Sequence, residues 1–191
     1  MPKTNYHLES PNPIESRFYG KVPLDFALAY LKFYKRGLVQ QLLHHLKYKQ
    51  RKEIGKILGN WYGEELKKVA IDQQVDLIVP VPLHKRKQKA RGYNQSSIFA
   101  AGLSEHLGIE HQDNVLLRPV MNASQTKKSR MDRWQNVKDA FTLPQPAQVA
   151  GKRIMLVDDV VTTGSTLEAC ANLLLEAGAA SVGVVCIAAA R

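Results

Sequence analysis

The chain of 191 residues carries 27 Lys and Arg against 17 Asp and Glu, a formal net charge of +10, and 45% of its residues are hydrophobic. This hydrophobic content excludes a disordered chain, and the absence of any run of about 18 apolar residues excludes a predicted membrane span. The two cysteines, Cys170 and Cys186, lie in separate apolar segments without metal-ligand spacing, so we expect buried free thiols and a reducing, cytoplasmic setting.

The N-terminal third is predicted to contain one strand and two helices. Residues 1–22 hold three prolines and no apolar period, which predicts an irregular lead-in. Residues 24–34 fit a strand or a helix, and their alternating aromatic residues favour a strand. Apolar residues at i, i+3, i+4 and i+7 from Val39, and again from Ile54, predict two amphipathic helices, the second ending near Val69.

The central third alternates strand and helix signals. The apolar run of residues 75–82 ends in prolines and predicts a buried strand, and residues 83–95 read as a basic loop. The spacing of apolar residues from Phe99 predicts a helix that ends near Gly108, and residues 114–120 predict a further strand.

The C-terminal third begins with a polar, basic stretch, residues 121–141, which we predict to be a long loop. Residues 153–160 predict a strand, the spacing from Leu167 predicts a helix that Gly178 terminates, and residues 181–190 predict a last buried strand. Strands that alternate with helices indicate a parallel sheet with helices on both faces, whose ligands bind beyond the carboxyl ends of the strands.

The stretch "RIMLVDDVVTTGST", residues 153–166, predicts a ligand site at such a strand end. The carboxylates of Asp158 and Asp159 repel each other, so vicinal sugar hydroxyls or a Mg²⁺ ion with its bound water would satisfy them. The loop that follows opens a helix, where unpaired N–H groups and hydroxyls make a cradle for one phosphate. An ordinary Ser/Thr-capped helix is the alternative, although it does not explain two tandem acids with four hydroxyls.

Residues 154–166, "IMLVDDVVTTGST", match the phosphoribosyl diphosphate (PRPP) signature of type I phosphoribosyltransferases at every position. The segments "LLHHLKYK", "LIVPVPLH", "RGYNQ" and "LLEAGAASVGVVCIAAAR" resemble the ComF branch of competence-associated, phosphoribosyltransferase-like proteins. This resemblance implies a three-layer α/β fold with a mainly parallel, five-stranded sheet. It implies an N-terminal lead-in and hood over residues 1–72 and a core over residues 73–191.

The same resemblance implies roles for particular residues. Asp158 and Asp159 would contact the ribose hydroxyls and Mg²⁺, directly or through water. Lys128 and Arg130 would lie on a catalytic loop over Gln125 to Arg133. The loop that holds the 5-phosphate would comprise Val160, Val161, Thr162, Thr163, Gly164, Ser165 and Thr166, and the pyrophosphate side would comprise Pro82, Leu83, His84 and Arg91.

Two functional hypotheses follow. In the first, the chain is a cytoplasmic phosphoribosyltransferase that uses PRPP and Mg²⁺ and an acceptor that the sequence does not identify. In the second, it is a non-catalytic protein that binds PRPP or a nucleoside 5-monophosphate, or serves DNA uptake with a competence-machinery partner. The net charge permits a polyanion partner, and residues 32–56, eight of them basic, are expected to lie outside the PRPP site and could bind single-stranded DNA.

Overall fold

The computed structural model describes residues 1–119 and 140–190. They contain a four-stranded sheet in the order β1-β4-β3-β2, in which every neighbouring pair is parallel. The strands are β1 (Ala27–Phe33), β2 (Leu77–Pro80), β3 (Arg153–Val161) and β4 (Ser181–Ala190). The predicted α/β class with a parallel sheet is therefore confirmed.

Five α-helices accompany the sheet in the described residues, and the predicted amphipathic helices are all present. The helices are α1 (Leu38–Tyr48), α2 (Lys52–Lys68), α3 (Lys85–Arg91), α4 (Gln95–Leu107) and α5 (Ser165–Glu176). None of these described helices is both long enough and apolar enough to span a membrane.

The sheet separates two cores, because successive residues of a strand point to opposite faces. On β3, Ile154 and Leu156 pack with α5 and the lead-in, whereas Met155 and Val157 pack with α1, α2 and α4. Both cysteines are free and buried, as predicted, and burial raises the pKa of each thiol.

The predicted fifth strand at residues 114–120 is not formed in the part of it that the structure describes. Leu117 makes only an isolated antiparallel bridge to Thr142. The free edge of β2 instead receives a short segment around His111 through the N–H and C=O groups of Ile78. This edge can form few further backbone hydrogen bonds, because β2 is four residues long and ends in Pro80, which has no N–H to donate.

The basic segment predicted to be a loop contains α3, so that prediction is wrong for residues 85–91. His84 caps this helix by accepting a hydrogen bond from the Arg86 N–H over 3.2 Å, and Gly92 ends it with a φ of 84°. Lys, Arg, Gln and Ala are strong helix formers, but a helix whose one apolar residue is Ala90 leaves no periodic signal in the sequence.

The lead-in is irregular, as predicted, yet it is part of the core. Ile14 and Phe18 are almost fully buried, and the buried Asn12 side chain donates to the Ala27 carbonyl over 3.1 Å. β1, from the segment expected to form a hood, pairs with β4 in the common sheet. The boundary near residue 72 stays a prediction.

Helices α2 and α4 pack with their backbones in contact. A Cβ atom on Gly59 would lie 2.4 Å from the Phe99 carbonyl oxygen, and one on Gly102 would lie 2.4 Å from that of Lys56. Only glycine fits at either position. This close packing fixes α4, whose first turn contacts the two aspartates of β3.

Candidate functional site

The two aspartates lie inside β3, which ends at Val161, one residue beyond the predicted strand of residues 153–160. Asp158 lies opposite Cys186 of β4 in the sheet register. Asp158 is partly buried and Asp159 is only 7% exposed. The carboxyl groups therefore need partners from neighbouring elements, because a buried charge without partners is strongly unfavourable.

Helix α4 supplies a partner to each aspartate. The Ser96 hydroxyl donates to Asp158 Oδ1 over 2.9 Å, and the Asp159 N–H donates to the same oxygen over 2.8 Å. The Gln95 amide donates to Asp159 Oδ2 over 2.6 Å. Burial, and then the charge of Asp159, raise the pKa of Asp158 to about 7.

The start of α4 is itself held in place by its N-cap residue. Asn94 Oδ1 accepts from the Ser96 N–H over 3.1 Å, and Asn94 Nδ2 donates to the Val81 carbonyl over 2.9 Å. The cap thus ties the first turn of α4 to the segment that leaves β2. The sequence analysis quoted "RGYNQ" but gave Gln95 and Ser96 no role; an Asn that opens a helix was the available signal.

Lys47 of α1 forms an ion pair with Asp159, with Nζ lying 2.7 Å from Oδ2. The expectation that residues 32–56 lie outside the site is therefore wrong for this residue. The apolar period of α1 places Lys47 on the helix but does not indicate that it lies near Asp159, which is 112 positions later in the chain. The tertiary packing brings them together.

The loop after β3 has the form of an anion cradle. Gly164 adopts a φ of 85°, and α5 begins at the next residue, so the helix N–H groups face the loop. Exposed hydroxyls come from Thr162, Thr163 and Ser165, and the last two lie 3.1 Å apart. Asp158 and residues 160–167 line a small cavity of about 50 Å³.

The lead-in supports this loop from behind. The Arg17 guanidinium donates to the carbonyls of Val161, Thr162 and Ala190. A Cβ atom on Gly164 would lie 2.9 Å from the Phe18 ring, so the ring and the loop are in close contact. No sequence pattern indicates this role, since nothing in residues 1–22 is periodic.

The residues expected on the pyrophosphate side divide between two cavities. Pro82 and Leu83 line one of about 280 Å³, together with Lys85 and Gln88. Arg91 lines another, where its guanidinium donates to the Gln95 side chain and lies 5.4 Å from the Tyr48 ring centre. His84 acts as the cap of α3. Lys128 and Arg130, and the loop that carries them, lie outside the described residues.

The residues present fit a magnesium ion that arrives with its ligand. In the described part of the chain, no group of three His, Cys, Asp or Glu side chains could hold a metal by itself. Mg²⁺ usually keeps several waters and binds through one or two carboxylates plus substrate phosphates. Asp158 and Asp159 supply that many carboxylates.

Comparison with known proteins places these features in a family. A family model described as the phosphoribosyl transferase domain matches residues 94–191, half of the chain. The DNA utilization protein YhgH of Escherichia coli K12 is 39% identical over 149 residues, covering 76% of this chain and 65% of that protein. Competence protein ComFC of Bacillus subtilis is 30% identical over 144 residues, covering 75% and 56%. The chain thus spans between about half and two thirds of these relatives.

Solved structures give more distant matches. The allosteric regulatory enzyme of purine biosynthesis matches with a TM-score of 0.49 and 23% identity, over 70% of this chain and 26% of that one. The purine phosphoribosyltransferase from Pyrococcus horikoshii matches with a TM-score of 0.47 and 21% identity, over 71% and 73%.

Proposed function

The chain belongs to the phosphoribosyl transferase domain family, on its ComF-type branch, and we propose that it binds PRPP or a nucleoside 5-monophosphate through residues 158–166. The observation that carries this proposal is the direct junction of an acid pair with an anion cradle. Two carboxylates can accept hydrogen bonds from sugar hydroxyls, and the loop that follows them can hold a phosphate. Together they match the chemistry of a ribose 5-phosphate.

In this proposal each group of the site has one task. Asp158 and Asp159 accept hydrogen bonds from the ribose hydroxyls, and their charge stabilises the positive charge that develops on the sugar as its bond to pyrophosphate breaks. The loop of Thr162 to Thr166 holds the 5-phosphate. Magnesium, when bound, neutralises the leaving pyrophosphate. Gln95 and Ser96 keep the two carboxylates in place.

We propose that the site is catalytic and that the reaction transfers a phosphoribosyl group from PRPP to an acceptor. The alternative is a protein that binds the ligand without turnover, because a fold does not fix its function. Release of pyrophosphate from PRPP in the presence of candidate acceptors separates the two. If the protein binds PRPP but releases pyrophosphate with no acceptor, the alternative of binding without turnover is favoured.

Calorimetry of PRPP with Mg²⁺ tests the site assignment. The double variant Asp158→Asn with Asp159→Asn should lose binding by at least about 100-fold, because neither residue then offers a charged acceptor. Asp76→Asn is the matched control: it removes a carboxylate that directly precedes β2 and pairs with Arg153, the first residue of β3, over 2.7 Å. Wild-type affinity in the double variant would reject the assignment.

Single-stranded DNA is a second candidate ligand. The relatives are named for DNA utilization and for competence. Tyr48, which lies among the basic residues of the stretch 32–56, has Arg91 5.4 Å from its ring centre but is 66% exposed, so the exposed part of the ring can stack on a base. Lys49, Arg51 and Lys52 follow it. A protein of a DNA-uptake machinery is a candidate partner on the same ground.

Fluorescence anisotropy across a salt series tests DNA binding. Replacing Lys49, Arg51 and Lys52 with Ala should reduce the slope of log K against log salt by about 2, because each lost phosphate contact removes about 0.7 from a single-strand slope. Lys47 is left unchanged, since it pairs with Asp159. Lys67→Ala with Lys68→Ala at the other end of α2 is the control. An unchanged slope in the triple variant would exclude this surface.

A further inference from the structure

The first eight residues of the lead-in, here called the N-terminal segment (residues 1–8), cover one edge of the sheet. In the described residues β1 is an edge strand, and an isolated antiparallel bridge joins it to this segment. The Thr4 N–H donates to the Tyr30 carbonyl over 2.9 Å, and the Lys32 N–H donates to the Pro2 carbonyl over 2.8 Å. The segment thus pairs backbone groups that an edge strand otherwise leaves open.

His7 attaches the N-terminal segment to α2. Its side chain is only 6% exposed, and its ring packs edge-on against Tyr62, with the ring centres 5.8 Å apart. His7 Nε2 lies 3.8 Å from a carboxylate oxygen of Glu65, beyond hydrogen-bond distance. His7 Nδ1 is buried and has no hydrogen-bond partner among the described residues. These surroundings suit a neutral imidazole, because both nitrogens of an imidazolium donate and need acceptors.

The one carboxylate beside His7 is already paired. The Lys3 ammonium forms an ion pair with Glu65, so a protonated His7 would share that carboxylate with a second cation. Burial lowers the pKa of His7, the charge of Glu65 opposes this shift, and the charge of Lys3 adds to it. The other titratable groups that face this cluster in the described residues are the stacked phenols of Tyr30 and Tyr62. Burial raises the pKa of both phenols, so they stay neutral where His7 titrates.

We propose that the N-terminal segment is a pH-sensitive cover of the β1 edge, which is released when His7 takes up a proton. In the released segment His7 is solvated and titrates near its ordinary pKa of about 6.5. The attached residue binds the proton less tightly, so attachment is strongest above that pH. Attachment weakens as the pH falls, by up to about tenfold per pH unit, until the lowered pKa of the attached residue is reached.

Release exposes a pairing surface on the sheet. The Tyr30 carbonyl and the Lys32 N–H lose their partners in the N-terminal segment. Such groups on an edge strand are those to which a further strand adds. The proton on His7 therefore controls access to this edge.

The rest of the lead-in stays in place when the segment is released. The Asn12 side chain donates to the Ala27 carbonyl over 3.1 Å and accepts from the Ile14 N–H over 2.9 Å. Neither contact involves His7, and Arg17 lies further along the chain. The cover uses no residue of the proposed PRPP site, so the two can fail separately.

Amide hydrogen exchange of the whole chain, followed by NMR at pH 7.5 and pH 5.0, tests the proposal. Protection factors are corrected for the intrinsic exchange rate at each pH. The Lys32 amide should be protected about 3- to 10-fold less at pH 5.0. The Val184 amide of β4, which donates to the Phe26 carbonyl over 2.8 Å, is the internal reference and should lose no protection.

Three variants identify the group responsible. His7→Phe keeps an aromatic ring but cannot titrate, so its protection factor should be the same at both pH values. Lys3→Gln leaves Glu65 to the imidazolium alone, so the decrease at pH 5.0 should be smaller than in wild type. His45→Phe, an exposed substitution on α1, is the matched control and should keep the wild-type decrease.

Three results would overturn the proposal. The first is a Lys32 amide that is equally protected at both pH values in wild type, and the second is a wild-type decrease that persists in His7→Phe. The third is an equal loss at Val184, which would report a general effect of acid on the sheet. If His7→Phe does not fold, Lys3→Gln decides: an undiminished decrease would contradict the role of the shared carboxylate.

Discussion

The negative charge of Asp158 is unfavourable in the ligand-free protein. Burial and Asp159 raise its pKa to about 7, whereas an unfolded chain releases the same proton near pH 4. The folded state therefore binds the proton more tightly, and this contribution to stability is lost as the pH rises from about 4 to 7. In the proposed complex, ligand hydroxyls and metal would offset that loss.

Asp158→Asn should consequently stabilise the ligand-free protein. Asparagine keeps an oxygen acceptor for Ser96 and for the Asp159 N–H, but carries no charge. We expect the free energy of unfolding to rise by about 1–2 kcal/mol at pH 8 and to change little at pH 4. Urea denaturation at the two pH values measures this. A variant no more stable than wild type at pH 8 would contradict the burial of the charge.

Asp76→Asn is the control of opposite sign. Its hydrogen bonds with Arg153 lower the pKa of Asp76 to about 2, so the carboxylate contributes stability above about pH 4 that is lost as the pH falls toward 2. The variant should be less stable than wild type at pH 8, and the difference should disappear at low pH. The effect should be small, because this ion pair is largely exposed.

The sequence predicts which candidate site residues lie together only where they are contiguous in the chain. Asp158 and Asp159 adjoin Thr162 to Thr166 in sequence, and the structure places them beside one another. Their partners Lys47, Gln95 and Ser96 could not be predicted, because they come from helices at least 62 positions away. The sequence of a helix alone does not indicate which carboxylate its side chains will contact in the folded protein.

At the scale of elements, apolar periodicity succeeded where an element buries one face. It predicted α1, α2, α4 and α5, and it predicted four strands whose residues are buried in the sheet. It failed for α3, which is entirely charged or polar apart from Ala90, and for residues 114–119, whose buried Leu116 belongs to an irregular segment. Burial alone does not make a strand, which needs a partner edge.

The lead-in gives the element-scale prediction. Arg17→Ala removes the hydrogen bonds to the carbonyls of Val161, Thr162 and Ala190, so the loop after β3 loses its support from the lead-in. Hydrogen exchange in residues 160–168 should accelerate, and PRPP affinity should fall about 10-fold. Arg17→Lys should restore part of both, because a lysine can satisfy at least one carbonyl.

Lys21→Ala, an exposed substitution in the same lead-in, should change neither quantity. Exchange in residues 160–168 that stays at the wild-type rate in Arg17→Ala would show that the loop holds its shape without the lead-in. In that case, the role assigned to Arg17 would be wrong even if the protein were less stable.

At the scale of the whole molecule, a net charge of +10 surrounds a small acidic site. In the proposed function, the positive field would attract phosphorylated ligands, and the acid pair would then select those that present sugar hydroxyls. Composition permits an anionic ligand but does not indicate which surface would bind it. The structure pairs Lys47 with the acid pair, whereas Lys49, Arg51 and Lys52 follow the exposed Tyr48.

The most direct test of the central claim is a phosphorus NMR titration of PRPP with the wild-type chain and Mg²⁺. The 5-phosphate resonance should shift and saturate, because the loop after β3 holds that group. In the double variant Asp158→Asn with Asp159→Asn, the shift should be absent at the same concentrations. A 5-phosphate resonance that wild-type protein leaves unchanged, or that moves equally with the double variant, would contradict the claim that residues 158–166 bind a ribose 5-phosphate.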